Sequence, residues 1–150
     1  MATYDLTTAL SGVPCPAGPA GFPSVNEGYT YRIKGIVDLS KIPTPLVAGD
    51  IVKAINVPPG CVVKGVWMRV VEPCGAAMTM SGGDTADGAG WFAATPMNAV
   101  EGAVVSPNGT YLNAGAGKAY VNADSVNLVV AGSVFNNSGM FEVIARFERL

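Results

Sequence analysis

A chain of 150 residues that is 49% hydrophobic and only 13% charged is long enough to bury a core without help from a metal or a disulfide framework. Its formal charge of −2 and pI near 4.9 provide no basic patch, which excludes the electrostatic drive for nucleic-acid binding and disfavours anionic membranes. Mean hydropathy is high at +0.35, yet no run reaches the ~18 uninterrupted apolar residues that a membrane-spanning helix needs.

In chain order, the first residues lack a cationic region followed by an apolar one, so they do not read as a secretory signal and synthesis in a cytoplasm is expected. Residues 13–23 hold four prolines and two glycines. Proline removes ladder donors and glycine raises the entropy cost of ordering, so residues 1–28 are expected to form an extended N-terminal arm. Tyr4 and Phe22 are its candidate anchors on a partner. Residues 29–150 are expected to form one β-domain.

From Tyr29, apolar Tyr31, Ile33 and Val37 alternate with Arg32, Lys34 and Asp38, the period of a strand with one face inside. Pro43 and Pro45 break the chain. A second strand runs from Asp50 to Val57 and stops at Pro58-Pro59-Gly60. The third, Val62 to Glu72, is rich in valine and contains Trp67 and Met68. A short strand is expected from Ala76 to Met80, then a flexible Gly-rich loop from Ser81 to Gly90. Trp91-Phe92-Ala93-Ala94 reads as another short strand, and 97–105 as the one place for a short helix. Residues 106–109 read as a turn and 113–118 as a Gly-rich loop. Val126, Leu128 and Val130 alternate with Ser125, Asn127 and Val129. After a turn at 136–139, the last strand puts Phe141, Val143, Ala145 and Phe147 on one face and Glu142, Ile144, Arg146 and Glu148 on the other. Short strands with Gly/Pro turns and almost no helical period predict an all-β fold, an antiparallel β-sandwich or jelly-roll-like domain.

The chain contains no histidine, which removes Ser-His-Asp and Cys-His nucleophilic designs and histidine-ligated metals. Cys15, Cys61 and Cys74 lack zinc spacing. An odd cysteine count suits a reducing compartment, and about 40 Å of straight strand would separate Cys61 from Cys74, so small buried thiols are expected. Asp84 and Asp87 read as a solvated turn, with a weak calcium loop or a carboxylate pair as the sharper readings. The run ending Gly115-Ala116-Gly117-Lys118-Ala119 fails as a phosphate loop, because Leu112 replaces the first glycine and Ala119 the magnesium-binding hydroxyl. No cofactor, no metal and no enzyme activity are expected.

Gly49-Asp50, then Val57-Pro58-Pro59-Gly60, lead into the Val62–Val66 strand. A Gly/Asp loop (Ser81-Gly82-Gly83-Asp84, Asp87-Gly88), Trp91-Phe92-Ala93-Ala94, a segment at 119–128 and a closing strand follow. This layout over residues 49–150 resembles the small decoration, or cement, proteins of tailed-bacteriophage heads. The resemblance implies a virion structural protein on the capsid exterior that binds the major capsid protein and stabilises contacts between its subunits. It also implies a homo-oligomer, a trimer or alternatively a dimer. Beyond the arm, Trp91, Phe92 and Met97 are the candidate contact residues, as apolar side chains of exposed loops. The competing expectation is a carbohydrate- or receptor-binding module on a phage head or tail, using Trp91 or the Gly-rich loops.

Overall fold

Alternating burial decides where the strands lie. In β10 (Met140–Arg149), Phe141, Val143, Ala145 and Phe147 are all fully buried, as their period of two requires. β10 is the centre of its sheet. It pairs antiparallel on one side with β2 (Thr30–Asp38) and on the other with β4 (Cys61–Glu72). β7 (Val104–Val105) and β8 (Lys118–Tyr120) add to the far edge of β4. The second sheet runs in the order β1 (Thr3–Asp5), β3 (Ile51–Val57), β9 (Asp124–Val130), β5 (Thr79–Gly83) and β6 (Phe92–Pro96). All its pairings are antiparallel except β1 on β3. A short 3-10 turn, Leu39–Lys41, follows β2, and a single helical turn, α1 (Thr110–Asn113), precedes β8.

The structure is a computed structural model and describes residues 1–7, 30–75, 77–113, 117–132 and 138–149. It is an all-β sandwich of two mostly antiparallel sheets. The core between them takes Val52, Leu128 and Met80 from one sheet and Val66, Met68 and Phe141 from the other. β1 joins the sheet at the start of the stretch expected to be an arm, while residues 8–29, which carry Phe22 and the proline-rich run, lie outside the described residues.

Bulges shift the burial phase within single strands. In β4, Arg146 pairs with Gly65 but Phe147 with Val63, so Lys64 is an extra residue. Burial therefore passes from Cys61 and Val63 to Val66, Met68 and Val70. In β3, Ala54 is the extra residue between Lys53 and Ile55, and burial passes from Val52 to Ile55 and Val57.

Several expectations need correction. The strand expected at 76–80 lies at Thr79–Gly83, so Ser81, Gly82 and Gly83 belong to a strand paired with β9 and not to a flexible loop. The ladder with β9 overrides the local preference of glycine. No helix forms at 97–105. Turns there lead into β7, and the helical turn lies at Thr110–Asn113. Cys61 is disulfide-bonded, so it is not the free thiol expected, whereas Cys74 is a buried free thiol, separated from Cys61 by the length of β4.

Candidate functional site

Two places concentrate chemistry-bearing side chains. The first begins where β5 ends. The side chain of Asp84 is fully buried and faces only donors. Its Oδ1 accepts the Tyr111 hydroxyl at 2.7 Å and the backbone N–H groups of Ala86 at 2.9 Å and Asp87 at 3.0 Å. Its Oδ2 accepts Lys118 Nζ and the Tyr120 hydroxyl, each at 2.5 Å. Lys118 also lies over the Tyr111 ring, 4.4 Å from its centroid. Asp84 thus ties β5 of one sheet to β8 of the other, with α1 closing the end of the sandwich. This corrects the solvated turn expected of Asp84 and Asp87. Asp87 is half-buried and caps local turns by accepting from Ala89 N–H and the Thr110 hydroxyl. A carboxylate saturated by five donors and closed to solvent has no lone pair left for a substrate proton or a cation. The arrangement is an anchor.

The electrostatics agree. Burial alone would raise the Asp84 pKa, but the Lys118, Tyr120 and Tyr111 donors outweigh it and hold the carboxyl below its usual range. Burial and the Asp84 charge push the Tyr120 phenol up. Asp50 is also lowered, by the backbone N–H groups of Ala2 and Val47. It is buried beside Gly49, and its contact to Ala2 N at 2.7 Å fastens β1 to the sheet edge. Folded-state pKa values depressed below the ordinary aspartate value near 4 give stability that is complete above that value and lost as pH falls through the folded ones. The raised phenol works in the opposite direction and removes stability above about pH 10. Chemical denaturation at stepped pH should therefore give a plateau from about pH 5 to 9 with a fall on both sides. A stability still rising on going down from pH 5 to 3 would contradict the anchor.

The second place is the outer face of the β2–β10–β4–β7 sheet. Ladder register places Arg32, Arg146 and Gly65 in one row across the strands, and Lys34, Ile144 and Trp67 in the next. The third row holds Ile36, Glu142, Arg69 and Val104, and the fourth Asp38, Met140 and Glu72. The indole of Trp67 lies along the strand over Gly65, where a Cβ would come within 2.8 Å of the ring. Glu142, nearly buried, pairs with both Lys34 and Arg69 at 3.3 Å. Between these charges Trp67, Ile144, Val104 and Arg32 line a groove of about 340 Å³, and Val104 is 60% exposed. The face thus has a middle in which apolar side chains stand among the ion-paired Lys34, Glu142 and Arg69, a pair of arginines toward one end and a pair of carboxylates at the other, a form suited to docking a macromolecule and without a reactive group.

Of the residues expected at a contact, Tyr4 packs against the core and its hydroxyl meets Thr44 Oγ1 at 2.6 Å. Phe22 lies outside the described residues. Trp91, Phe92 and Met97 are each 0% exposed, so the expectation that they stand out on exposed loops is corrected. They are large apolar side chains drawn into the core, and Trp91 packs edge-on against Tyr111. With Trp91 enclosed, the sugar platform expected of it is not on the surface. The sequence reading missed Trp67 as a surface residue, because its valine-rich strand pointed to the core. The bulge at Lys64 turns it outward.

No family model matches the sequence, and no curated relative is similar to it. Solved structures are. A chain of the cyanophage Pam1 capsid asymmetric unit is 17% identical with a TM-score of 0.60, covering 93% of this chain and 96% of that one. A chain of the Ralstonia phage GP4 capsid is 16% identical with a TM-score of 0.63, covering 97% and 98%. A chain of the acidic stable capsid of Helicobacter pylori bacteriophage KHP30 is 13% identical with a TM-score of 0.56, covering 81% and 89%. The chain therefore carries a phage-capsid-related fold, a two-sheet β-sandwich that recurs in chains of three phage capsids.

Proposed function

We propose that this chain is a non-catalytic virion structural protein that binds the outer surface of a phage capsid as a closed homo-oligomer and strengthens contacts between major capsid subunits. The carrying observation is the extent of the likeness: it takes in 81–97% of this chain and 89–98% of its capsid neighbours. A match end to end in both directions is what a dedicated shell component would give. The surface supports the reading. Val47 is 50% exposed, Val100 77% and Val121 78%, and apolar surface of this kind is stabilised by contact with a partner. Packaged DNA pushes a shell outward. Bridging neighbouring subunits opposes that by roughly 25 cal/mol per Å² of apolar area buried, before the entropy cost of docking.

Capsids assembled without this protein should pellet it saturably when mixed at about 10 µM, a concentration that reveals micromolar affinity. The loaded shells should release DNA at a higher temperature than bare ones. A protein left wholly in the supernatant, from capsids of the same phage, would end the proposal.

A further inference from the structure

We infer that the outer face of the β2–β10–β4–β7 sheet is an interface with a second copy of this chain, packed face to face about a two-fold axis lying between the two sheets and running across the strands. The observation is a charge gradient along the strands. Beyond the arginines, Glu148 is paired with Lys64 and adds no net charge; the Arg32 and Arg146 row carries two cations, the Lys34 row one, the Glu142 and Arg69 row cancels, and the Asp38 and Glu72 row carries two carboxylates. Arg32, Arg146 and Glu72 are exposed. Six residues of strand separate the ends, about 20 Å.

Such a face is complementary to its own reversed image. A two-fold axis across the strands reverses strand direction and leaves each strand over its counterpart. Arg32 then lies opposite Asp38 of the second copy, and Arg146 reaches toward Glu72 of the second copy. The two middle rows fall on one another, bringing Ile36, Val104, Ile144 and Trp67 of the two copies together around Lys34, Glu142 and Arg69, whose charges are already paired within each copy. A two-fold axis along the strands would instead stack cations on cations and carboxylates on carboxylates. The charge pattern therefore selects one symmetry, and an isologous contact closes the assembly at two copies. Strand reversal is also compatible with the small crossing angle of packed sheets.

A nucleic acid fits this face poorly, since the middle cations are already paired with Glu142 and the far end repels phosphates. Three strands about 4.8 Å apart over four rows, with β7 adding Val104 in one of them, give roughly 400 Å² per copy, near 800 Å² in total, the size of a weak, transient association. The dimer is accordingly reversible and weakened by salt.

The test is sedimentation equilibrium of the full-length chain at low and high salt, with Arg146→Glu, Glu72→Lys and the double variant. Both side chains are exposed, and circular dichroism controls for folding. Wild type should show a monomer–dimer equilibrium that salt shifts toward monomer. Each single variant should raise the dimer Kd by about tenfold or more, and the double variant should return it to within about threefold of wild type, because the pairs are restored with signs exchanged. A strict monomer, a trimer, or a dimer indifferent to both single variants would overturn the interface, as would two damaging variants whose combination does not recover. If Arg146→Glu abolishes capsid pelleting and leaves self-association unchanged, the face belongs to the shell and the inference is equally overturned. The association is read on the isolated chain, so its failure leaves capsid binding itself standing, and a strict monomer removes only the homo-oligomer from that proposal.

Discussion

Asp84→Asn is expected to lower the unfolding free energy by about 3 kcal/mol, a large part of the 5–15 kcal/mol typical of a domain. The substitution keeps the side-chain volume, so packing is not the cause. Asp84 receives five donors, three on Oδ1 and two on Oδ2. An asparagine offers one acceptor oxygen and one NH₂. If the oxygen stays with the Tyr111 hydroxyl and the two backbone N–H groups, the NH₂ faces the Lys118 ammonium, which can only donate, and the Tyr120 hydroxyl, which can accept the NH₂ but then leaves its own O–H without an acceptor. If it flips, three donors lose their acceptor. Tyr120 is 4% exposed, so its hydroxyl has no water to turn to, and an unmade buried hydrogen bond costs about 1–3 kcal/mol. Lys118 keeps 25% of its side chain exposed and recovers part of its hydration, which holds the total below that of a fully buried broken pair. Lys118→Met should therefore cost less, about 1–2 kcal/mol, because the carboxylate retains four donors. Guanidinium unfolding of both variants checks the order. Lys118→Met proving the more damaging of the two would show that the lysine, and not the donor-saturated carboxylate, organises this end of the sandwich.

The anchor was invisible in the sequence for a definite reason. Asp84 and Lys118 are 34 residues apart, and nothing local ties a Gly-rich loop to a residue that looked like the tail of a failed phosphate loop. They meet only because β5 and β8 end side by side in opposite sheets. The strands themselves were far more legible. Phe141 to Phe147 and Val126 to Val130 announce their inner faces by apolar–polar alternation, which holds even though Ser125 and Asn127 on the other side of β9 are buried too, and each strand keeps an unbroken ladder with one neighbour. Legibility falls at the bulges. One extra residue at Lys64 inverts the meaning of alternation along β4, so Trp67 read as core when it lies outside. Trp91, Phe92 and Met97 failed in the opposite sense. Gly-rich surroundings suggested an exposed loop, but burial of large side chains outweighs local loop preference. The charge gradient combines both cases: the faces of β2 and β10 can be read residue by residue, but the pairing that aligns Asp38 with Glu72 cannot.

The close approach of the two sheets sets the other large effect. Gly35 in β2 faces inward, and a Cβ there would collide with the carbonyl oxygen of Ala54 and come within 2.9 Å of Ile55 Cγ1. These atoms belong to the bulge of β3, where the extra residue pushes backbone toward the opposite sheet. A backbone carbonyl flanked by paired residues on both sides cannot swing aside like the end of a side chain. Gly35→Ala is therefore expected to cost about 2–3 kcal/mol, and Gly35→Val more, by forcing the sheets apart along β2. Gly49→Ala is the control. Gly49 has φ +93° but open space around its Cβ position, so it should lose only the about 1–2 kcal/mol of left-handed backbone strain. The two positions separate steric wedging from conformational strain within one protein, and thermal unfolding of the three variants reads the order directly. If Gly49→Ala is as damaging as Gly35→Val, backbone conformation and not the approach of β2 to the β3 bulge limits this sandwich. If the wedge dominates, it defines a spacing between sheets that neither strand can give up singly: loss of the bulge at Ala54 would leave a void over Gly35, and filling Gly35 would have no room while the bulge remains.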